Sequence, residues 1–304
     1  VIELSKAYMD GVRDAKVPMA VTIKHFPGDG VDERDQHLLS SVNSLSAEDW
    51  EATYGRIYKE LIDYGAQTVM VGHILQPEMT RKLCPGIRDE EILPASTNKY
   101  LITDLLRGEL GFNGLVTTDA TPMVGFSGFL TRREAIAKSI MAGVDVILFC
   151  KNIDEDFAGV KEDIENETIT LLRVNEAVRR QLALKASLRL HKTHADGTII
   201  PEKSALSVIG CAEHTAWAKE CADQAITLVK DNQNLLPISP EKTKRIRLTV
   251  LGEGQDGAFG DGGSITMPLK KALEQEGFEV SIYDYATMER GEIFTAGAAD
   301  MKAK

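Results

Sequence analysis

The stretch MAVTIKHFPGDGVDERDQH, residues 19–37, joins a short apolar run to an unusually dense group of titratable side chains. The apolar run at residues 19–23 predicts a buried β-strand. Lys24 and His25 follow at once, and Asp35 and His37 lie in the glycine- and acid-rich loop that comes next. A buried strand that exposes so much charge as soon as it ends indicates a functional site at its carboxyl end.

Three more units of the same kind follow along the chain. Each predicted strand is a nearly continuous apolar run, which is typical of a parallel sheet that is covered on both faces. Amphipathic helix patterns separate the strands, and this alternation predicts a parallel sheet with crossover helices. The predicted strands are residues 19–23, 68–72, 114–118 and 144–149, and the predicted helices are residues 3–15, 46–65, 96–111, 131–143 and 168–190.

Two α/β architectures fit this alternation, a doubly wound sheet and a (β/α)8 TIM-type barrel. Polar side chains end every predicted strand, and they are Lys24 with His25, His73, Asp119, and Cys150 with Lys151. In a barrel the carboxyl ends of all strands converge on one mouth, whereas an open sheet forms a site only at its switch point. The sequence therefore predicts the second half of a barrel, and we expect four further strand–helix units upstream of Val1.

A second region follows the barrel pattern. Residues 191–203 have the polar, glycine- and proline-containing character of a linker, after a first domain at residues 1–190. Residues 204–304 predict part of a second α/β domain, the start of an α/β sandwich. Its predicted elements are helices at 213–230 and 268–277 and strands at 247–251 and 279–283.

The composition argues against several classes of function. The chain of 304 residues has a formal net charge of −11, whereas a nucleic-acid-binding protein needs a basic face. No run of about 18 apolar residues predicts a membrane span. Four cysteines without metal spacing predict free, mostly buried thiols and a reducing compartment, and we expect a cytoplasmic location. No cluster of His, Asp or Glu has metal spacing, so we expect no metal and no cofactor.

Three groups of residues are candidates for chemistry. Asp119, at the tip of a predicted strand, could be a nucleophile, a metal ligand or a helix cap. Asp35 and His37 are two residues apart, so the carboxylate could fix one ring nitrogen and leave the other to move a proton. The alternative is a pair of solvated loop residues. His73 could contact a substrate or could be a packed, satisfied histidine.

Taken together, these segments resemble glycoside hydrolase family 3, in particular its β-N-acetylglucosaminidase branch. The resemblance lies in KHFPG at residues 24–28, DQH at 35–37, GFNG at 111–114 and TDA at 118–120, in that order. It covers most of residues 1–190. The chain departs from the branch at Asp29, since the branch commonly has histidine there.

The resemblance implies a retaining hydrolase of terminal β-linked N-acetylglucosamine, acting on a small carbohydrate or glycoconjugate without a cofactor. It implies that Asp119 is the nucleophile and that His37, paired with Asp35, is the acid/base. Lys24 and His25 match the pair that binds sugar hydroxyls in the family. A phosphorylase or a β-glucosidase of the same family is an alternative, because phosphate could replace water as the acceptor.

Two alternatives come from other classes of protein. Residues 252–257 match GxGxxG after a predicted strand, and Asp284 ends the next one, which is the pattern of a dinucleotide-binding oxidoreductase. However, residues 258–267 lie between these glycines and the predicted helix at 268–277, so a plain glycine-rich loop is favoured. The other alternative is a non-catalytic sugar-binding relative, against which the presence of Asp119, Asp35 and His37 argues.

Overall fold

The computed structural model describes residues 1–249 and 266–282. The chain divides into two compact units, Val1–Lys203 and Ser204–Lys304, which are described separately below. The glycine-rich motif at residues 252–257 and Asp284 lie outside the described residues. No helix in the described ranges is long and apolar enough to cross a membrane.

The first unit is built on a four-stranded parallel sheet. Its strands are β1 (Thr22–Phe26), β3 (Thr68–Val71), β5 (Leu115–Ala120) and β6 (Val146–Leu148), and they are neighbours in this order. Because each right-handed crossover steps in the same direction, the connecting helices all pack on one face of the sheet. The order contains no reversal and therefore no switch point. This arrangement confirms the prediction of a TIM-type half-barrel.

A second, two-stranded parallel ladder lies beyond the carboxyl ends of the main strands. It pairs β2 (Ser41–Val42) with β4 (Ile74–Leu75). β2 closes the loop that follows β1, and β4 begins directly after His73. The ladder therefore fixes the base of the loop that carries Asp35 and His37.

The helices of the first unit follow the predicted order, with additions. The first residues of two predicted helices are N-caps, since Ser46 accepts a hydrogen bond from the Asp49 amide and Thr131 accepts one from the Glu134 amide. Gly143 ends its helix with a φ of 117°. The helices are α1 (Ile2–Arg13), α2 (Ala47–Trp50), α3 (Arg56–Asp63), α4 (Pro77–Leu83), α5 (Val124–Ser127), α6 (Arg132–Ala142), α7 (Ile153–Glu165), α8 (Leu171–Ser187) and α9 (Leu190–Ala195), with 3₁₀ turns at Asp89–Glu91 and Ala95–Thr97 and π-helical segments at Glu51–Gly55 and Tyr100–Glu109. A further 3₁₀ turn, Lys203–Val208, begins at the last residue of this unit.

The core lies between the sheet and these helices. Trp50 is fully buried, and its indole N–H donates to the carbonyl oxygen of Pro27 over 2.7 Å. Phe26 at the end of β1 packs edge-to-face against Trp50 and Tyr58. The packing of helices α2 and α3 thereby fixes the end of β1, next to Lys24 and His25.

Several predicted boundaries were wrong. β1 begins at Thr22 rather than residue 19, because pairing of Thr22 with Thr68 sets its start, so Lys24 and His25 lie within the strand. β5 extends through Asp119 to Ala120. The helix predicted from Ser96 starts at Tyr100 instead, while Ser96 is buried in a 3₁₀ turn.

Helix α7 was not predicted from the sequence, since no element was assigned between residues 149 and 168. The run Asp154–Asp156 forms the first turn of α7, where carboxylates favour the helix dipole. Asn152 caps this turn by accepting from the amides of Asp154 and Glu155. The side chain of Asp156 is only 10% exposed and pairs with Arg132 over 2.6 Å.

The opposite, amino-terminal edge of the sheet is held by one buried carboxylate. The side chain of Asp145 has no solvent exposure, and it contacts Arg107, Arg173 and Arg180 at 2.8, 2.5 and 3.5 Å. One of its oxygens also accepts from the Val116 amide over 3.0 Å. This cluster joins the start of β5 to helix α8 and the Tyr100–Glu109 segment.

The apolar stripe of α1 faces an open groove rather than a closed core. Leu4 and Tyr8 are 78% and 70% exposed, and the buried residue of this helix is Met9. They line a cavity of about 960 Å³ beside β1. Among the described residues no strand pairs with the outer edge of β1.

The second unit contains helix α10 (Ala212–Ala225), strand β7 (Arg245–Leu248), helix α11 (Thr266–Gln275) and strand β8 (Glu279–Ile282). β7 and β8 pair in parallel from Arg245 opposite Glu279 to Leu248 opposite Ile282. A strand–helix–strand unit with a parallel pair is the predicted start of an α/β domain. Its assignment as a sandwich domain stays a prediction.

Candidate active site

Asp119 lies near the carboxyl end of β5 with its side chain 12% exposed. One of its oxygens, Oδ1, accepts from the amide of Ala120 over 2.8 Å. The next helix, α5, begins at Val124 with Met123 as its N-cap, so Asp119 does not cap it. The structure therefore argues against the helix-cap interpretation and leaves a largely buried carboxylate at the mouth of the half-barrel.

His25 on β1 lies between two carboxylates. Its Nε2 is 3.6 Å from Oδ2 of Asp119, and its Nδ1 is 3.9 Å from Oδ2 of Asp29. Burial lowers the pKa of His25, and the neighbouring Lys24 cation lowers it too, although Asp119 and Asp29 act in the opposite direction. A neutral imidazole beside Asp119 suits hydrogen bonding to a sugar hydroxyl better than proton transfer. Lys24, on the same strand, lines the groove beside β1 together with His25.

The loop after β1 brings Asp35 and His37 together. Oδ1 of Asp35 is 2.6 Å from Nδ1 of His37 and also accepts from the His37 amide over 2.9 Å. These two hydrogen bonds, the backbone one first, lower the pKa of Asp35. Because a carboxylate only accepts, Nδ1 of His37 carries a proton, and the tautomer assigns any further proton transfer to Nε2.

The backbone of this loop is bonded to the segment that follows Asp119. The amide of Val124 donates to the carbonyl oxygen of His37 over 3.2 Å, and the amide of Gly125 donates to that of Gln36 over 3.1 Å. The charges of both Asp119 and His37 act on the pKa of His25. The carboxylate on β5 and the dyad on the loop therefore both lie at the carboxyl end of the parallel sheet, which is the mouth of the half-barrel.

His73 is a buried residue that holds the site rather than facing it. Its side chain has no solvent exposure, and its Nε2 donates to the carbonyl oxygen of Ala120 over 3.1 Å. Its Nδ1 lies 2.8 Å from the Ser96 hydroxyl, which donates to the neutral ring. Burial lowers the pKa of His73 to about 4. Of the two alternatives that the sequence left open, the geometry favours the packed histidine over a sugar contact.

Gln36 is a site residue that the sequence analysis missed. It is 3% exposed, although Asp35 and His37 on either side are exposed. Its side chain bonds to Asp29 and to the backbone of His73. The sequence signal that could have identified it is the alternation of side chains along an extended segment. If Asp35 and His37 both point outward, the side chain between them points inward.

Metal ligands are not grouped in the described part of the chain. Across residues 1–249 and 266–282, no set of three or more His, Cys, Asp or Glu side chains could hold a metal ion. The four cysteines are free thiols, two of them exposed and two half-buried.

With this geometry established, comparison with known proteins is informative. Residues 1–184 match the model of the glycosyl hydrolase family 3 N-terminal domain. The chain belongs to glycosyl hydrolase family 3. Its fold as half of a TIM-type barrel agrees with this membership.

The relatives in this family carry two kinds of name. A β-N-acetylglucosaminidase/β-glucosidase of Cellulomonas fimi is 48% identical over 236 residues, which is 78% of this chain and 41% of that protein. A β-hexosaminidase of Tolumonas auensis is 34% identical over 156 residues, which is 50% of this chain and 42% of that protein. The chain thus spans less than half the length of these curated relatives.

A solved structure of the family resembles the fold closely. The β-glucoside phosphorylase BglX bound to 2FGlc has a TM-score of 0.85 and 46% sequence identity. The match covers 95% of this chain and 50% of that one.

Proposed function

We propose that the protein containing this chain is a retaining β-N-acetylglucosaminidase that cleaves terminal β-linked N-acetylglucosamine through a covalent glycosyl-enzyme. The observation that carries the proposal is the common mouth shared by the Asp119 carboxylate and the Asp35–His37 dyad. A retaining glycosidase needs a carboxylate beneath the anomeric carbon and a proton donor beside the leaving oxygen. We assign the first role to Asp119 and the second to His37.

In the first step an oxygen of Asp119 attacks the anomeric carbon and forms a glycosyl ester. The bond from that carbon to the leaving oxygen breaks, and Nε2 of protonated His37 gives this oxygen its proton. Asp35 accepts a hydrogen bond from the Nδ1–H group of His37 throughout, and this bond stabilises the imidazolium and holds the ring in place. Lys24 and His25 would orient the sugar through its hydroxyls.

In the second step neutral His37 takes a proton from water while the water oxygen attacks the anomeric carbon. The ester bond breaks, and Asp119 is released as a carboxylate. The same ring must therefore be charged in the first step and neutral in the second, which is the general acid and general base chemistry that histidine serves in many active sites.

The names of two relatives support the choice of sugar. The Cellulomonas fimi protein is called a β-N-acetylglucosaminidase/β-glucosidase, and the Tolumonas auensis protein a β-hexosaminidase. The test compares 4-nitrophenyl β-N-acetylglucosaminide with the β-glucoside, using the longest natural protein that contains this chain. We expect the first substrate to have the higher kcat/KM, and we expect Asp119→Asn to lower kcat by about 10³-fold or more while the protein stays folded. Full activity of Asp119→Asn would rule out the nucleophile assignment.

A second candidate function is phosphorolysis, and the similarity to the β-glucoside phosphorylase favours it. Neutral His37 repels an anionic acceptor less than a carboxylate base would. Phosphate would attack the anomeric carbon in place of water, break the ester to Asp119 and leave a sugar 1-phosphate. The assay follows this product with and without inorganic phosphate. A rate that does not change with phosphate, with free sugar as the only product, supports the hydrolase.

A further inference from the structure

We propose that Gln36 is a positioning residue that clamps the acid/base loop over the mouth of the half-barrel. The inference rests on the proposed function, since it concerns the delivery of a proton by His37. Gln36 is 3% exposed, between Asp35 and His37, whose side chains are 55% and 42% exposed. The two reactive groups therefore face outward, while the residue that connects them faces the protein.

The clamp consists of hydrogen bonds to three different strand ends. The Oε1 atom of Gln36 accepts from the His73 amide over 2.8 Å, at the end of β3. Its Nε2 donates to Oδ2 of Asp29 over 3.2 Å, in the turn after β1. Its backbone oxygen accepts from the Gly125 amide over 3.1 Å, after β5. A single residue thus ties the loop to the strands that carry His25 and Asp119.

Close packing supports the same conclusion. A β-carbon on Gly72 would lie 3.1 Å from Oε1 of Gln36, and one on Gly125 would lie 3.1 Å from its backbone oxygen. These are tight distances for an added methyl group. Glycine at both positions therefore allows Gln36 to approach the sheet.

The chemistry of the side chain also fits the place. The His73 amide is a donor and the Asp29 carboxylate is an acceptor, so the residue between them must accept and donate at once. Glutamine does both with one rigid amide group. Methionine has a similar shape and does neither, and glutamate accepts from the amide but repels Asp29.

A loosened clamp should affect only steps in which His37 moves a proton. Misplacing a catalytic group by about 1 Å can cost about 100-fold in rate. A leaving group such as 2,4-dinitrophenolate departs without protonation, whereas a phenolate needs it. The ratio of the two rates therefore separates a misplaced His37 from a general loss of folding.

The experiment measures kcat/KM of Gln36→Met on phenyl and on 2,4-dinitrophenyl β-N-acetylglucosaminide, in the longest natural protein that contains this chain. We expect a loss of about 10- to 100-fold on the phenyl glycoside and less than about 3-fold on the dinitrophenyl one. Glu33→Gln, an exposed change in the same loop, is the matched control and should leave both values unchanged. Equal losses on both substrates, or none on either, would overturn the proposal.

Asp29→Ala keeps the test decisive if Gln36→Met does not fold. Asp29 is 41% exposed, so its replacement removes one arm of the clamp without opening the core. We expect Asp29→Ala to lower kcat/KM more on the phenyl glycoside than on the dinitrophenyl one, by a smaller factor than Gln36→Met does. An equal loss on both substrates would contradict the clamp. If Asp119→Asn and His37→Ala lose activity while Gln36→Met behaves as wild type, only this inference fails. If Asp119→Asn keeps its rate, the proposed function fails instead.

Discussion

The burial of His73 predicts that the stability of the first unit depends on pH. The ring is fully buried against Phe126, with ring centroids 5.0 Å apart, and both of its nitrogens are hydrogen-bonded. Desolvation lowers its pKa from the ordinary value of 6.5 to about 4. Two perturbations test this prediction, a fall in pH and the substitution His73→Gln. Glutamine keeps a hydrogen-bond donor at this position but does not titrate.

The sign follows from the protons bound in each state. Between pH 6.5 and about 4 the unfolded chain holds a proton on His73 that the folded protein does not, so the free energy of unfolding falls as pH falls. The full contribution is present above pH 6.5. A pKa drop of this size corresponds to about 3 kcal/mol in all, of which about 2 kcal/mol is lost between pH 7 and pH 5.

The assay is urea unfolding at pH 7 and pH 5, followed by the fluorescence of Trp50. Replacing the exposed Trp217 by Phe in every protein leaves Trp50 as the reporter of the first unit. Both proteins should lose stability between pH 7 and pH 5. We expect the loss in the free energy of unfolding to be about 2 kcal/mol smaller for His73→Gln than for the parent. The parent and the variant have His25 in common, so its titration cancels in the difference. Identical pH dependences in the two proteins would refute the burial argument.

Two further predictions concern stability and the loop. Asp145→Asn removes the charge that three arginines share, and we expect a loss of about 3–5 kcal/mol in the free energy of unfolding. Arg180→Met, which breaks only the partly exposed 3.5 Å contact of that cluster, should cost less than about 1 kcal/mol. Similar losses for Asp145→Asn and Arg180→Met in urea unfolding would contradict this account. Gly125→Ala places a β-carbon 3.1 Å from the backbone oxygen of Gln36, so we expect kcat to fall about 10-fold in the 4-nitrophenyl assay. Gly159→Ala, whose nearest neighbour is 3.8 Å away, is the control, and an equal fall in both variants would count against loop displacement.

The order of strands and helices could be predicted because each unit carries its own local signals. The Ser46 and Thr131 caps and the left-handed Gly143 mark helix ends through interactions within a few residues. Helix α7 was missed because three acidic residues at its start resemble a solvated loop, and only the tertiary contact of Asp156 with Arg132 shows otherwise.

The candidate site was predictable where chemistry is visible in the sequence. The pairing of Asp35 with His37 follows from their spacing, and Asp119 from its place at a strand end. The burial of His73 and the bonds of Gln36 depend on residues that are far away in the sequence. Ser96 and Ala120 lie 23 and 47 positions from His73, and His73 lies 37 positions from Gln36. Gly125, which bonds to the backbone of Gln36, lies farther still. No local pattern specifies such partners. The departure at Asp29 acquires a role in the same way, since its carboxylate accepts from Gln36.

The central claim is that Asp119 is the nucleophile, and trapping the glycosyl-enzyme tests it most directly. A 2-deoxy-2-fluoro-β-glycoside with a dinitrophenyl leaving group slows both steps but keeps the first one measurable, so the ester accumulates. Peptide mass spectrometry after incubation should find one fluorosugar per protein, on the peptide that contains Asp119. A label on a different carboxylate would contradict the account. Equal labelling of the parent enzyme and of the Asp119→Asn variant would contradict it as well.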